Sequence, residues 1–410
     1  MMVLKCVGWF FSSFILIYSL WLGFFVAVGA FTKKIKYPEA LPQNIAVIIC
    51  ARNEETVIGR LIDSLMKQDY PRDNFKIFTV AHNCTDRTAE IAKACGSTVF
   101  FRNDPTENKK ICALRYGLQE VCHRYPGYFT AYVVFDADST ADRGYLKEIN
   151  NALASGADVA SGYYSSINFD RNIISRLTGT LYYTLMQCNS MPHNRLGLPV
   201  NVYGSGYGAR METVSYLDSV ETLVEDFEFS IQTVLHGGKM VAAPNAIFYA
   251  EMPTTLKEGL LQRLRWAAGD TQCFRKYRKQ LFNGLSSLKI SGFKMFMDLI
   301  MNLVITITFF GVLCNIVAAV ITGITALEVR IFLLELVVFY CIFALGAAVT
   351  LIQERKPLRD NAGTIALFPL WVFVSALFGF ITMFMKTVAW HQTAREGDTS
   401  KSKKGKNTHE

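Results

Sequence analysis

The chain has 410 residues, of which 51% are hydrophobic and 19% charged. It is too apolar for an ordinary soluble enzyme and far too apolar for a disordered chain. Lys and Arg outnumber Asp and Glu by 42 to 34, a net charge of +8; in so apolar a chain that excess belongs in cytoplasmic loops, so nucleic acid is not the partner it implies. The ten cysteines are scattered with no CxxC pair, and read as reduced thiols, not as a disulfide framework or a zinc site.

Residues 7–31 carry no charge, and a run of about 25 apolar residues spans a hydrocarbon core of roughly 30 Å. A cleaved leader is the alternative, with Val28-Gly29-Ala30 as a passable cleavage site. The run is longer than the usual leader core and only Lys5 stands among the residues before it, which favours an anchor. Lys33, Lys34 and Lys36 follow at once and place that side in the cytoplasm.

The middle of the chain alternates strand and helix patterns. Residues 44–50 form a short continuous apolar run, as a buried parallel strand does. Val57, Ile58, Leu61, Ile62 and Leu65 then recur at helical spacing. Residues 75–81 predict a second strand, 86–94 a helix capped by Asn83 or Thr85, 98–101 a third strand and 110–122 a helix. A fourth strand, 132–135, ends in Asp136-Ala137-Asp138. This rhythm predicts an α/β domain with a Rossmann-like open, mostly parallel sheet. Ligands of such sheets bind beyond the carboxyl ends of the strands. Three polar clusters fall there: Arg52-Asn53-Glu54, His82-Asn83 and Asp136-Ala137-Asp138. No Walker A and no GxGxxG opens a helix, which argues against a P-loop ATPase or a dinucleotide dehydrogenase.

Further on, Glu225-Asp226 follows the apolar pair Leu223-Val224 and precedes an amphipathic helix, 227–235. A carboxylate there is favoured by the helix dipole, or serves as a general base in a cleft. Gln262, Arg265 and Trp266 share one helix face by the i, i+3, i+4 rule. That face suits a diphosphate clamp with an aromatic platform, and equally an interfacial helix with an aromatic anchor. Asp136 and Asp138 are either a solvated strand-end turn or hard ligands for a divalent cation.

Three more apolar segments follow, at 299–322, 331–352 and 365–385, with Glu335 inside the second. The loop 354–359 and the tail from Arg395 are basic. Three crossings from a cytoplasmic domain would leave the tail outside, against the charge rule, unless one segment is re-entrant. The division is an anchor at 1–36, the α/β domain at 43–250, interfacial helices at 251–293, membrane helices at 294–390 and a basic polar tail at 391–410.

Taken in order, Ala51-Arg52-Asn53-Glu54-Glu55, Asn83-Cys84-Thr85-Asp86-Arg87-Thr88, Lys110-x-x-Ala113-Leu114, Asp136-x-Asp138, Gly204-Ser205-Gly206, Glu225-Asp226 and Gln262-x-x-Arg265-Trp266 form a specific set. It resembles the membrane-embedded family 2 glycosyltransferases of GT-A fold, which include the hyaluronan, cellulose, chitin and poly-N-acetylglucosamine synthases. The resemblance covers about 44–277 and the flanking spans. It implies that Asn53, Glu54, His82 and Lys110 meet the nucleotide sugar, and that Asp136 and Asp138 bind UDP through Mg²⁺ or Mn²⁺. It makes Asp226 the catalytic base with Glu225 beside it. Gln262 and Arg265 would stand at the diphosphate, and Trp266, Gly204 and Ser205 at the acceptor. Two departures bear on nucleotide identity: His82-Asn83 replaces an acidic strand end, and Arg115 follows Lys-x-x-Ala-Leu where asparagine is common.

The implied function is inverting, metal-dependent transfer from a UDP-sugar to a polysaccharide or a lipid. Processive synthesis and single addition to a glycolipid both remain open. A non-catalytic scaffold would need a lost acid or a broken motif, and neither is present. The implied location is the plasma membrane, multi-pass and in contact with membrane lipids, with the catalytic domain cytoplasmic.

Overall fold

The computed structural model describes residues 2–286 and 326–384, and a few isolated positions between them. A long helix α1 (Met2–Phe31) leads into the α/β domain. There β1 (Ile45–Ala51) pairs in parallel with β2 (Phe75–His82) on one side and β4 (Ala131–Asp136) on the other, and β3 (Thr98–Arg102) extends the sheet beyond β2. Helices α2 (Ile58–Met66), α3 (Thr88–Ala94), α4 (Lys110–Arg124) and α5 (Tyr145–Ala154) cover the faces. Strand residues alternate between two cores. Ile45, Val47 and Ile49 face α2 and α5, while Ala46 and Ile48 face α4. All five are fully buried. Truncating one of these isoleucines to alanine would cost about 2–5 kcal/mol. This two-sided burial is why β1 reads as an unbroken apolar run.

The second half of the sheet corrects the mostly parallel expectation. β6 (Val159–Ser166) and β4 both run antiparallel to β7 (Tyr207–Arg210), which lies between them; β8 (Met240–Ala250) runs parallel to β6, and the two-residue β5 (Thr140–Ala141) antiparallel to β8. The order is β3-β2-β1-β4-β7-β6-β8-β5, a mixed sheet. Between β6 and β7 the chain makes a helical excursion through α6 (Ile173–Thr184), a π turn (Leu185–Ser190) and α7 (Met191–Arg195). It therefore re-enters the sheet from the end where β6 left it, which fixes β7 as antiparallel.

After α8 (Glu225–Leu235) and β8 comes the long α9 (Leu256–Ser286), and then α10 (Ala326–Gln353) and α11 (Ala362–Phe384). Leu333–Gln353 and Ala362–Gly379 are long and apolar enough to cross a membrane. Glu335 is buried, and Leu333, Leu334 and Val337 point outward. The segment 299–322, apart from isolated positions, and the tail 391–410 lie outside the described residues. α1 is tied to its neighbours by side-chain contacts: Phe25 stacks on His193 at 4.2 Å, and Gln353 donates to the Gly29 carbonyl at 2.9 Å.

Candidate active site

The parallel strands β1, β2 and β4 end level with one another, with Cys50 beside both Val80 and Asp136. A cleft of about 1050 Å³ opens at these ends. The first two strand-end loops are laced together. Asn53 and Asn83 both take left-handed backbone conformations (φ 56° and 51°), which asparagine tolerates better than most residues. The Asn53 side-chain oxygen accepts from the Thr85 N–H at 2.8 Å, and the Glu54 N–H donates to Thr88 Oγ1 at 2.7 Å. Helix α3 begins later than expected. Asp86, not Asn83 or Thr85, accepts from the Thr88 N–H, at 3.0 Å. Asn53 and Glu54 both line the cleft.

His82 also lines the cleft at the end of β2 and is 3% exposed. Burial and the Arg102 guanidinium lower its pKa, so the ring is neutral. The Arg102 guanidinium lies 3.4 Å from its Nδ1. The His82 Nε2 is buried without a hydrogen-bond partner among the described residues.

β4 stops at Asp136, and Asp138 stands in the following turn. The two carboxylates therefore reach the cleft from different backbone contexts, not as neighbours on one strand face. Lys110, the first residue of α4, pairs with Asp136 Oδ1 at 2.6 Å and with Glu225 Oε1 at 3.4 Å, and donates to the Gly204 carbonyl at 2.6 Å. Burial pulls the Lys110 pKa down, but Asp136 and Glu225 outweigh it and raise it well above the usual lysine range. Gly204 needs its left-handed φ of 78°, and it lies between Asp136 and Asp226. Ser205 does not line the cleft. It is 3% exposed, accepts from the Asp136 N–H at 3.0 Å and pairs with Ser139 at 3.1 Å. Ser205 is thus turned inward, where it holds Asp136, unlike its neighbour Gly204, which lines the cleft.

Glu225 and Asp226 open α8 at the cleft wall. Glu225 is drawn toward Lys110, whereas Asp226 is half-buried. Burial and the neighbouring Glu225 charge raise the Asp226 pKa to about 7. A carboxylate poised near neutrality is suited to general-base work. Glu228, one turn further on, was hidden in the sequence as an ordinary acidic residue. Its side chain is fully buried and accepts from the Glu221 and Thr222 N–H groups at 2.8 and 2.7 Å, from Tyr277 at 2.7 Å and from Lys276 at 2.9 Å. Gln272 accepts from the Leu223 N–H at 3.0 Å. Together these bonds lock the start of α8 to α9.

On α9, Gln262, Arg265 and Trp266 all line the cleft, followed by Asp270 one turn on. The intervening Arg263 points away. It is 2% exposed, donates to Ser375 of α11 at 2.7 Å and lies 4.3 Å from the centre of the Trp371 ring. Trp266 meets Tyr182 edge-on at 5.9 Å, and Tyr182 stacks on Tyr164 at 3.8 Å. These two tyrosines, with Asn201 and Tyr203, are cleft residues that carried no motif signal, whereas Arg52 belonged to the first strand-end cluster. The arrangement gathers carboxylates, one neutralising lysine, an arginine and an aromatic wall around one cleft.

Residues 42–269, more than half of the chain, match the family described as "Glycosyltransferase like family 2". A Bacillus subtilis protein described as "Probable glycosyltransferase YdaM" is 24% identical over 67% of this chain and 68% of its own length. A Methanococcus voltae enzyme is 24% identical over 57% of this chain and 74% of its own. It is a "Dolichyl N-acetyl-alpha-D-glucosaminyl phosphate 3-beta-D-2,3-diacetamido-2,3-dideoxy-beta-D-glucuronosyltransferase". The fold is shared with the mannosyltransferase PcManGT of Pyrobaculum calidifontis, solved in complex with GDP-Man and Mn²⁺. The TM-score is 0.61 at 14% identity, covering 92% of this chain and 98% of that one.

Proposed function

This chain belongs to the family 2 glycosyltransferases, and on that premise we propose inverting transfer of a sugar from a UDP-sugar to a polysaccharide or lipid acceptor at a membrane. The observation that carries this reading is Asp226, a carboxylate raised to about 7 that shares one cleft with Lys110, Asp136, Asp138 and Arg265. Asp226 takes the proton of the acceptor hydroxyl as its oxygen attacks the anomeric carbon from the face opposite the nucleotide. The bond from the sugar to the β-phosphate breaks in the same displacement, and the electron pair leaves with the nucleoside diphosphate. Arg265 meets the growing diphosphate charge with a planar pair of donors. Trp266 holds the acceptor in line, its indole offering a broad apolar face. His82 presents its ring to the nucleotide from the end of β2.

The donor set fits a divalent cation. Asp138 and Asp136 are hard carboxylates on one cleft, and Asp136 Oδ1 already meets Lys110 at 2.6 Å, so Asp138 would be the ion's first ligand. Phosphate oxygens would fill the remaining positions, as Mg²⁺ and Mn²⁺ favour. Bound there, the ion would neutralise charge on the leaving diphosphate. The Mn²⁺ of the Pyrobaculum mannosyltransferase supports this reading. The apolar helices α10 and α11 support a place in the plasma membrane, and the lysines after α1 a cytoplasmic catalytic domain.

The test is transfer of label from UDP-sugars, with GDP-sugars as comparison, by membranes containing the full chain and Mg²⁺ or Mn²⁺. Label should enter a product from a UDP-sugar and should stop doing so in excess chelator. Full turnover in excess chelator would end the metal assignment, and turnover of GDP-sugars alone would end the uridine one.

A further inference from the structure

The side of α9 next to its cleft face is bound to α11 over about three turns. Gly259 gives the Trp371 indole room, since a β-carbon there would meet it at 2.8 Å. One turn on, Arg263 donates to Ser375 at 2.7 Å and stands over the Trp371 ring at 4.3 Å. Further along, Thr382 lies 3.2 Å from the Thr271 hydroxyl and donates to the Ala267 carbonyl at 3.3 Å. Arg263 is the costly member of this stripe. It is 2% exposed, and among the described residues no carboxylate pairs with it and its Nε and Nη2 find no acceptor. Burial pulls its pKa down to about 9, with Tyr182 opposing the fall. A guanidinium taken out of water without a counter-charge weakens a fold, so packing alone would favour an apolar side chain here. Its remaining contact is with the cleft wall: the guanidinium lies 5.9 Å from the centre of the Trp266 ring, within the reach of a cation–π contact. It therefore sits between two indoles, one facing the cleft and the other on a helix apolar enough to cross a membrane.

We propose that Arg263 is a positioning residue for sugar transfer: fastened to Ser375 and Trp371 of α11, it holds the Trp266 indole in the orientation that lines up the acceptor. The inference rests on the reading of Trp266 as the acceptor platform. Arg263 does not itself line the cleft, so it acts through that indole. Tyr182, edge-on to Trp266 at 5.9 Å, is the indole's other aromatic support. The fold gives up stability at Arg263, and what it gains is a fixed acceptor platform tied to α11.

The test uses membranes containing the full chain and labelled UDP-sugars, and measures label entering product against label released as free sugar by water. Arg263→Met should lower that ratio of transfer to hydrolysis about tenfold, the scale of a desolvated cation–π contact. UDP binding should be unchanged and the Tm should stay at or above that of wild type, because methionine carries no buried charge. Arg263→Lys keeps the charge without the planar stack and should not restore the ratio. Ser375→Ala, which removes only the acceptor of the Arg263 bond, should lower the ratio in the same direction by less. In a Trp266→Ala chain, Arg263→Met should change the ratio no further, because its effect passes through the indole. Equal loss of transfer and hydrolysis, loss of UDP binding or of Tm in Arg263→Met, or the same tenfold effect without Trp266 would make Arg263 a packing residue and overturn the proposal. A wild-type chain that turns over no sugar nucleotide would instead overturn the transferase reading, and this inference with it.

Discussion

Asp136 and Asp226 face each other across Gly204: a β-carbon built on that glycine would lie 3.8 Å from Asp136 Oδ2 and 3.6 Å from Asp226 Oδ2. The carboxylate assigned to the leaving diphosphate and the one assigned to the attacking hydroxyl are therefore held one residue's width apart. Gly204→Ala would force a side chain into a left-handed backbone, at about 1–2 kcal/mol, and into the space between them. We expect Tm to fall by the few degrees that this strain costs and kcat/KM to fall at temperatures where the variant is fully folded. A variant as active as wild type would show that this space is not used.

The ionisation of Asp226 gives a pH dependence with a definite sign. Its pKa is raised to about 7, so the free enzyme lacks its base below that pH, and kcat/KM should climb as pH rises through neutrality. Glu225 helps to raise that pKa and Lys110 opposes the rise. Glu225→Gln should therefore move the acidic limb to lower pH, and Lys110→Met should move it higher. Shifts in one direction for both variants would contradict the cluster described here.

Glu228 should govern stability more than chemistry. Burial pushes its pKa up, but the Thr222 N–H with Tyr277, Lys276 and the Glu221 N–H more than offset this and hold it below its ordinary value. Its contribution is thus present above the usual carboxylate range and is lost as pH falls through it, below about 4.3. Glu228→Gln should destabilise the fold by about 3 kcal/mol at neutral pH. The loss should shrink on acidification in a denaturant titration, and a constant loss across pH would contradict the charge argument.

Trp266→Ala should separate transfer from donor breakdown. With the indole holding the acceptor, as proposed, transfer to acceptor should fall while slow hydrolysis of the nucleotide sugar by water persists. Equal loss of both activities would place Trp266 at the donor instead.

Some of this was legible in the sequence for clear physical reasons. β1, β2 and β4 are buried on both faces, so each appears as an apolar run ending in the polar cluster that lines the cleft. Helical spacing alone put Gln262, Arg265 and Trp266 on one face, and that face turns to the cleft. The second half of the sheet was not legible. β7 is short and glycine-bearing, β6 mixes serines with tyrosines, and β8 carries Pro244 and Asn245 in mid-strand. Without these strands nothing announced that Ser205 turns inward. Tyr164 and Tyr182 gave no signal because they reach the cleft from separate elements. Glu228 gave none because its partners, Lys276 and Tyr277, lie about fifty residues further along the chain.

The central claim is that Asp226 is the base of a sugar-transfer reaction. It is tested most directly by following labelled sugar from a UDP-sugar into product with the wild-type chain and with Asp226→Asn, while UDP binding is measured on both. The account predicts that wild type transfers sugar, and that Asp226→Asn binds UDP normally but transfers about 10²–10⁴ times more slowly. Transfer by Asp226→Asn at close to the wild-type rate would contradict it.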